Sequence, residues 1–220
     1  MIAAKRRLPM RMLGTAMANQ TVPVVLASAS PARRQMLSAA GVACQIAPAH
    51  IDEEAVKSAM IAIDPHIDAA AIAARLAQEK ARTVSQAKPG CLVIGADQVL
   101  VFENTIYSKA ATAEEARAIL KKLRGRTHEL ISAAALARDG ALLWHGEDVA
   151  RLTMRDFSDR FLGQYLNEAG SVIYQCVGCY ELEKTGVQLF EKIEGDYFTV
   201  LGFPLLALLG AWRTHAVLTS

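Results

Sequence analysis

Two short stretches of this chain combine groups that bind phosphate with groups that move protons. The first is Leu26-Ala27-Ser28-Ala29-Ser30-Pro31-Ala32-Arg33-Arg34. An apolar run enters a serine-rich turn, and a helix start follows. The first turn of a helix leaves backbone N–H groups unpaired and carries partial positive charge, so it favours anions. Ser28 and Ser30 add hydroxyls, and Arg33 and Arg34 add guanidinium groups that can grip phosphate oxygens in pairs. The same residues also describe an ordinary capped helix with solvated arginines. The second stretch is Ile94-Gly95-Ala96-Asp97-Gln98-Val99, an apolar strand that reaches a glycine and then a carboxylate. Ligands of open α/β sheets bind beyond strand ends. An aspartate there can hold Mg²⁺ or activate water, and a surface turn is the plain alternative.

Further charges could join them. Asp52-Glu53-Glu54 follows an apolar run, Lys80 lies in Gln78-Glu79-Lys80-Ala81, and Lys109 follows Thr105–Tyr107. Each alone has the residue types of a solvated face. A late polar stretch from Gly178 to Gly186 is bracketed by glycines and followed by Glu194–Tyr197 and Val200–Leu205, which suits a loop lying against a ligand.

The elements that must position these groups alternate. Val22–Ala27, Val42–Ala47, Cys91–Gly95, Val99–Phe102 and Thr105–Tyr107 read as strands. Ser30 suits an N-cap and Pro31 the first helical position, with Gly41 closing that helix. Helices are expected over Asp52–Met60, Ile67–Gln86, from Thr112 through Leu123, from Ser158 to Glu168, and over Phe203–Trp212. Asp139-Gly140 joins the strands Glu129–Arg138 and Ala141–Met154 as a hairpin, and Val187–Ile193 alternates like another strand. Alternating strands and helices with a late hairpin predict an α/β fold with a mixed, twisted sheet flanked by helices.

Composition narrows the class. The 220 residues are 52% hydrophobic, enough for one domain without disulfide staples. A formal net charge of +2 argues against a nucleic-acid-binding protein. No stretch reaches the ~18 apolar residues of a membrane helix, so no membrane partner is expected. Residues 1–20 carry Lys5, Arg6, Arg7 and Arg11 without a continuous apolar segment, and are read as a flexible extension before a domain at 21–220. Of Cys44, Cys91, Cys176 and Cys179, only the last two form a Cys-x-x-Cys, and no second pair completes a zinc site. They read as the reduced thiols of a cytoplasmic protein.

In order along the chain, these motifs resemble the Maf family of nucleotide pyrophosphatases. Leu26–Arg34 is similar to its Leu-Ala-Ser-x-Ser-Pro-x-Arg-Arg, Asp52-Glu53 to its carboxylate pair, and Glu79-Lys80-Ala81 to its Glu-Lys-Ala. Gly95-Ala96-Asp97, Lys109, Glu194–Tyr197 and Val200–Leu205 follow in the family's order. The resemblance implies a bilobal fold with a central cleft. It also implies hydrolysis of the α–β phosphoanhydride of a nucleoside triphosphate, a divalent cation (Mg²⁺ or Mn²⁺), and a homodimer. By it, Asp97 is the general base or metal-linked carboxylate and Glu53 helps hold the ion. Ser28, Arg33, Arg34, Lys80 and Lys109 contact the triphosphate.

Three positions sort the family's branches. Gln98 and Glu183 resemble the 7-methyl-GTP branch, where the pyrimidine branch, acting on dTTP and UTP, has Thr and Gln. The third is Ala32, where the family usually carries Arg or a bulky aromatic. Ala110 stands where a proline is usual, and Lys184-Thr185 where a glycine is common. Two other classes use similar parts. One is a non-catalytic nucleotide-binding regulator of cell division, and the other a phosphosugar or phosphomonoester enzyme on a similar α/β scaffold.

Overall fold

The computed structural model of the chain describes residues 22–214. The expected extension at 1–20 lies outside the described residues. Strand β1 (Val24–Leu26) is fully buried and runs through Ala27-Ser28-Ala29 into α1 (Pro31–Ala39). Ser30 caps α1, its hydroxyl accepting from Arg33 N at 3.4 Å, and Pro31 opens the helix. Strand β2 (Gln45–Ile46) is shorter than expected and, among the described residues, pairs only with β1. Helix α2 (Glu53–Ile63) is capped by Asp52, and α3 (Ala69–Ala87) by Asp68. Each carboxylate accepts a first-turn N–H that the helix itself cannot pair.

Strand β3 (Leu92–Phe102) corrects the sequence reading. Two strands were expected, with Asp97 at a tip; one continuous strand of 11 residues is observed. It stays continuous because β5 (Thr127–Arg138) pairs it antiparallel from Val93 to Val101. Its other side is interrupted. There β1 pairs Leu92 to Ile94 in parallel, and β4 (Thr105–Tyr107) pairs Leu100 to Phe102 antiparallel. Residues 95–99 between them have no strand partner on that side. Asp97 therefore sits beyond the end of β1, the parallel neighbour, although it is interior to its own strand. Because side chains alternate, Asp97 and Gln98 face opposite sides of the sheet at this gap.

Helix α4 (Ala113–Leu123), capped by Thr112, leads into β5, and β6 (Ala141–Met154) returns along it. Asp139 and Gly140 both take positive φ, 52° and 82°, as a two-residue hairpin turn requires. Ser158 caps α5 (Asp159–Ala169). The short α6 (Val172–Gln175), which periodicity did not reveal, precedes the late loop. The expected strand over Val187–Ile193 begins only at Phe190. Thr185–Leu189 winds into a 3-10 turn, and β7 (Phe190–Glu194) pairs the outer side of β6. Helices α7 (Tyr197–Val200) and α8 (Leu205–Thr214) close the described chain. The sheet order is β2-β1-β3-β5-β6-β7, with β4 beside β3. No helix among the described residues is long and apolar enough to cross a membrane.

Two main cores lie on either side of the gap. One joins β1, α1, α8 and the first half of β3 around Leu37, Ile94, Phe203 and Trp212. The other joins the far end of β3 with α4, α5 and the late loop around Leu100, Leu120, Phe157 and Tyr180. Strands β3 and β5 run through both, so the two lobes share one sheet.

Candidate active site

A cleft of about 820 Å³ opens between the lobes at the gap in β3. It brings together Ser28, Ala32, Arg33, Glu53, Lys80, Asp97, Gln98, Lys109 and Glu183. Arg34 is the exception. It lines an adjoining hollow with Gln35 and Ser38, which shares the Ser28–Pro31 turn with the cleft. Successive residues on a helix face about 100° apart, so Arg33 and Arg34 cannot share a direction.

At the centre, Lys80 Nζ lies 2.7 Å from Asp97 Oδ1 and 2.8 Å from Glu53 Oε1. Lys80 and Asp97 are buried, and Glu53 is half-buried. Gly95 makes this approach possible. A Cβ there would collide with the Ala77 carbonyl and lie 2.6 Å from Ala81 N, so only glycine lets α3 settle onto β3 and lay Lys80 against Asp97. Burial raises the Asp97 pKa, Lys80 and Arg33 oppose that rise, and the net shift is upward. For Glu53, burial also favours the neutral acid. The hydrogen bond and charge of Lys80, with Lys57 and Lys109, overcome it and hold Glu53 below the ordinary value.

The anion cradle is built around Arg33. Its Nε donates to Gly202 O at 2.8 Å, and its Nη1 donates to Ser28 Oγ at 3.1 Å and to Ala96 O at 3.1 Å. Ser30 N also donates to Ser28 Oγ, at 3.2 Å. Arg33 thus satisfies a carbonyl in the gap of β3 and ties the serine turn to the loop at Gly202. Its Nη2 donors have no acceptor among the described residues. Burial lowers the Arg33 pKa against the pull of Asp97 and Glu53, and a guanidinium stays charged through such a shift.

Sequence reasoning missed several lining residues. Lys57 stands one turn after Glu53 on α2, a spacing that could have flagged it, and pairs with Glu54 at 2.8 Å. Tyr107, Tyr174 and Cys176 also line the cleft, and no local pattern points them at a ligand; Glu181 reaches it from the glycine-bracketed late stretch. Behind the wall, His128 Nε2 is 2.7 Å from the Tyr180 hydroxyl, which docks the late loop on β5. Burial lowers the His128 pKa to about 4. Burial likewise raises the Cys176 thiol to about 11. A thiol so protonated at neutral pH is a poor nucleophile.

Four cations and five carboxylates line the cleft. Such a balance cannot by itself offset a bound triphosphate. Mg²⁺ is commonly held by one or two carboxylates together with substrate phosphates. Glu53 and Asp97 supply that oxygen set: each has a second carboxylate oxygen with no hydrogen bond among the described residues. The residues therefore fit a hard divalent cation.

Known proteins resemble the chain over nearly its whole length. The model of the family described as Maf-like protein matches residues 23–215. A nucleoside triphosphate pyrophosphatase of Caulobacter vibrioides is 49% identical over 197 residues, covering 90% of this chain and 98% of that protein. One of Granulibacter bethesdensis is 47% identical over 196 residues, covering 89% and 98%. A 7-methyl-GTP pyrophosphatase of Brucella abortus is 45% identical over 193 residues, covering 88% and 96%. With the family match and these relatives spanning the cleft and both cores, the chain belongs to the Maf family.

Proposed function

We propose that this protein hydrolyses a nucleoside triphosphate to the monophosphate and pyrophosphate, with Asp97 as the general base. The observation that carries the reading is the Glu53–Lys80–Asp97 cluster, set beside the Ser28–Arg33 turn in one cleft. Plain anion binding needs no buried carboxylate. A hydrolase needs one to take a proton from the attacking water, and a raised pKa makes Asp97 a better base near neutral pH. Water attacks the α-phosphorus, and the bond to the bridging oxygen breaks as charge builds on the departing pyrophosphate. Lys80 and Arg33 are positive groups held by hydrogen bonds before that charge appears, and such groups stabilise it without reorganising; exposed Lys109 adds a third positive charge to the cleft. Ser28 and the N–H groups opening α1 hold phosphate oxygens. A divalent cation on Glu53 and Asp97 would polarise water and neutralise phosphate oxygens. Arg33 also holds the turn and the Gly202 loop in register, so it acts as positioning residue as well as charge. The four free cysteines suit a cytoplasmic nucleotide pool.

For the base, Gln98 and Glu183 favour 7-methyl-GTP or a related nucleotide. A carboxylate on the late loop suits a cationic methylated guanine. Ala32, the third branch-sorting position, lines the same cleft with a small side chain. The test is pyrophosphate release from 7-methyl-GTP, GTP, dTTP, UTP and CTP, with and without chelator. Fastest turnover of 7-methyl-GTP, abolished by chelation, is expected. Equal rates on all five would remove the base assignment, and release of orthophosphate alone would remove the reaction.

A further inference from the structure

Helix α2 brings to the cleft a cation that neither the Glu53–Lys80–Asp97 cluster nor the serine turn engages. Lys57 stands one helical turn after Glu53, so the two share a face of α2, and both line the cleft. Its Nζ lies 2.8 Å from Glu54 Oε1 and makes no other hydrogen bond among the described residues. The two partners sit in different surroundings. The Lys57 side chain is 18% exposed, whereas that of Glu54 is 72% exposed. An ion pair within one helical turn, with its carboxylate in water, is weak and easily exchanged. Glu54 therefore neutralises a largely covered ammonium without holding it firmly, and a more highly charged anion can take its place.

The other cations of the cleft are engaged elsewhere or open to water. Lys80 lies between Glu53 and Asp97, and Arg33 donates to Ser28, Ala96 and Gly202. Lys109 is exposed. The charge of Lys57 is felt at one side of the cluster. Burial favours the neutral acid at Glu53, and Lys80 first, then Lys57 and Lys109, bring it below its ordinary value. At Asp97 the charges that act after burial are chiefly those of Lys80, Arg33 and Glu53. Lys57 thus belongs to the Glu53 side and not to the side that activates water.

We propose that Lys57 binds the β- and γ-phosphates, the pyrophosphate that leaves, and that Glu54 is the counter-ion it exchanges for them. This rests on the pyrophosphatase reading above and adds to it a binding residue for the leaving group. When the triphosphate arrives, the ammonium turns from Glu54 to a phosphate oxygen, and Glu54 passes into the water around it. When pyrophosphate departs, the pair re-forms, so Glu54 competes with the product and favours its release. A nucleoside monophosphate has no β-phosphate and does not engage Lys57.

The test titrates inorganic pyrophosphate and GMP separately, by calorimetry with Mg²⁺ present, into wild type, Lys57→Met, Glu54→Gln and the double variant. Thermal melts check that each is folded. Losing a charged hydrogen bond should weaken pyrophosphate binding by about tenfold or more in Lys57→Met and leave GMP binding as it is. Glu54→Gln should tighten pyrophosphate by about two- to fivefold, the worth of an exposed pair, and should have no effect once Lys57 is replaced. Equal losses for both ligands in Lys57→Met overturn the proposal. So do an unchanged pyrophosphate affinity in Lys57→Met, weaker pyrophosphate binding in Glu54→Gln, or a wild type that takes up no pyrophosphate. The titrations need no turnover, so the two readings separate. Pyrophosphate binding that depends on Lys57 without cleavage of any triphosphate keeps the binding residue and removes the reaction. Cleavage with pyrophosphate affinity indifferent to Lys57 does the reverse.

Discussion

Lys80 stands between two carboxylates, and its charge decides how each behaves. Asp97 is buried, and its pKa is raised by that burial despite Lys80 at 2.7 Å. A general base works only when ionised. The rate should therefore be full above the raised pKa and fall as pH drops through it, giving an acid limb above the ordinary aspartate value. Lys80→Met removes the nearest opposing charge, so kcat/KM pH profiles should show that limb moved to higher pH. A limb that stays in place would show that Lys80 does not control the base. Asp97→Asn should lose roughly 10²-fold or more in kcat, the usual contribution of a general base, and steady-state kinetics with thermal melts would separate this from misfolding. At this scale the sequence was informative wherever chemistry and local motif coincided, as at Ser28, Arg33 and Asp97, while Lys80 was marked only through the family resemblance; all four line the cleft. Arg34 shows the limit: adjacent in sequence to Arg33, it lines the hollow on the other side of the Ser28–Pro31 turn, because helical rotation and not proximity sets direction. Tyr174 was not legible, since it reaches the cleft only through the packing of α6, whereas Lys57 stands one turn after Glu53 and its spacing could have flagged it.

Helix α3 and strand β3 approach so closely at Gly95 that a side chain there must displace the helix. Gly95→Ala is expected to cost about 1–3 kcal/mol, as overpacking does. It should also reduce kcat by moving Lys80 from Asp97. A variant with wild-type stability in denaturant and wild-type kcat would refute that coupling. The late loop depends on a different contact, His128 to Tyr180. Folded His128 resists protonation until about pH 4, whereas the unfolded chain binds that proton near 6.5. Between those values the unfolded state holds more protons, so stability is full above about 6.5 and declines as pH falls, by at most about 3 kcal/mol. Denaturant titrations at pH 7 and 5 should show a smaller decline in His128→Gln than in wild type. Caps and the hairpin turn were readable because Ser30, Thr112, Ser158 and Asp139-Gly140 satisfy local backbone demands. The unity of β3 was not, because pairing to β5 carries the strand through a glycine and an aspartate that locally suggest a break. Val187–Ile193 failed for the opposite reason: its alternation is real, but only its last part reaches β6.

Two cores share one sheet, and the cleft lies where the sheet loses a partner strand. A ligand held there touches both lobes and should stabilise them as a unit. A non-hydrolysable triphosphate at 100 times its Kd should add about 2.7 kcal/mol to unfolding as one cooperative shift. The claim on which everything else depends is attack at the α-phosphorus within this cleft. Hydrolysis in water enriched in heavy oxygen (¹⁸O), with mass analysis of both products, tests it directly. The label is expected in the nucleoside monophosphate, with unlabelled pyrophosphate. Label in the pyrophosphate, or release of orthophosphate in its place, would contradict the account.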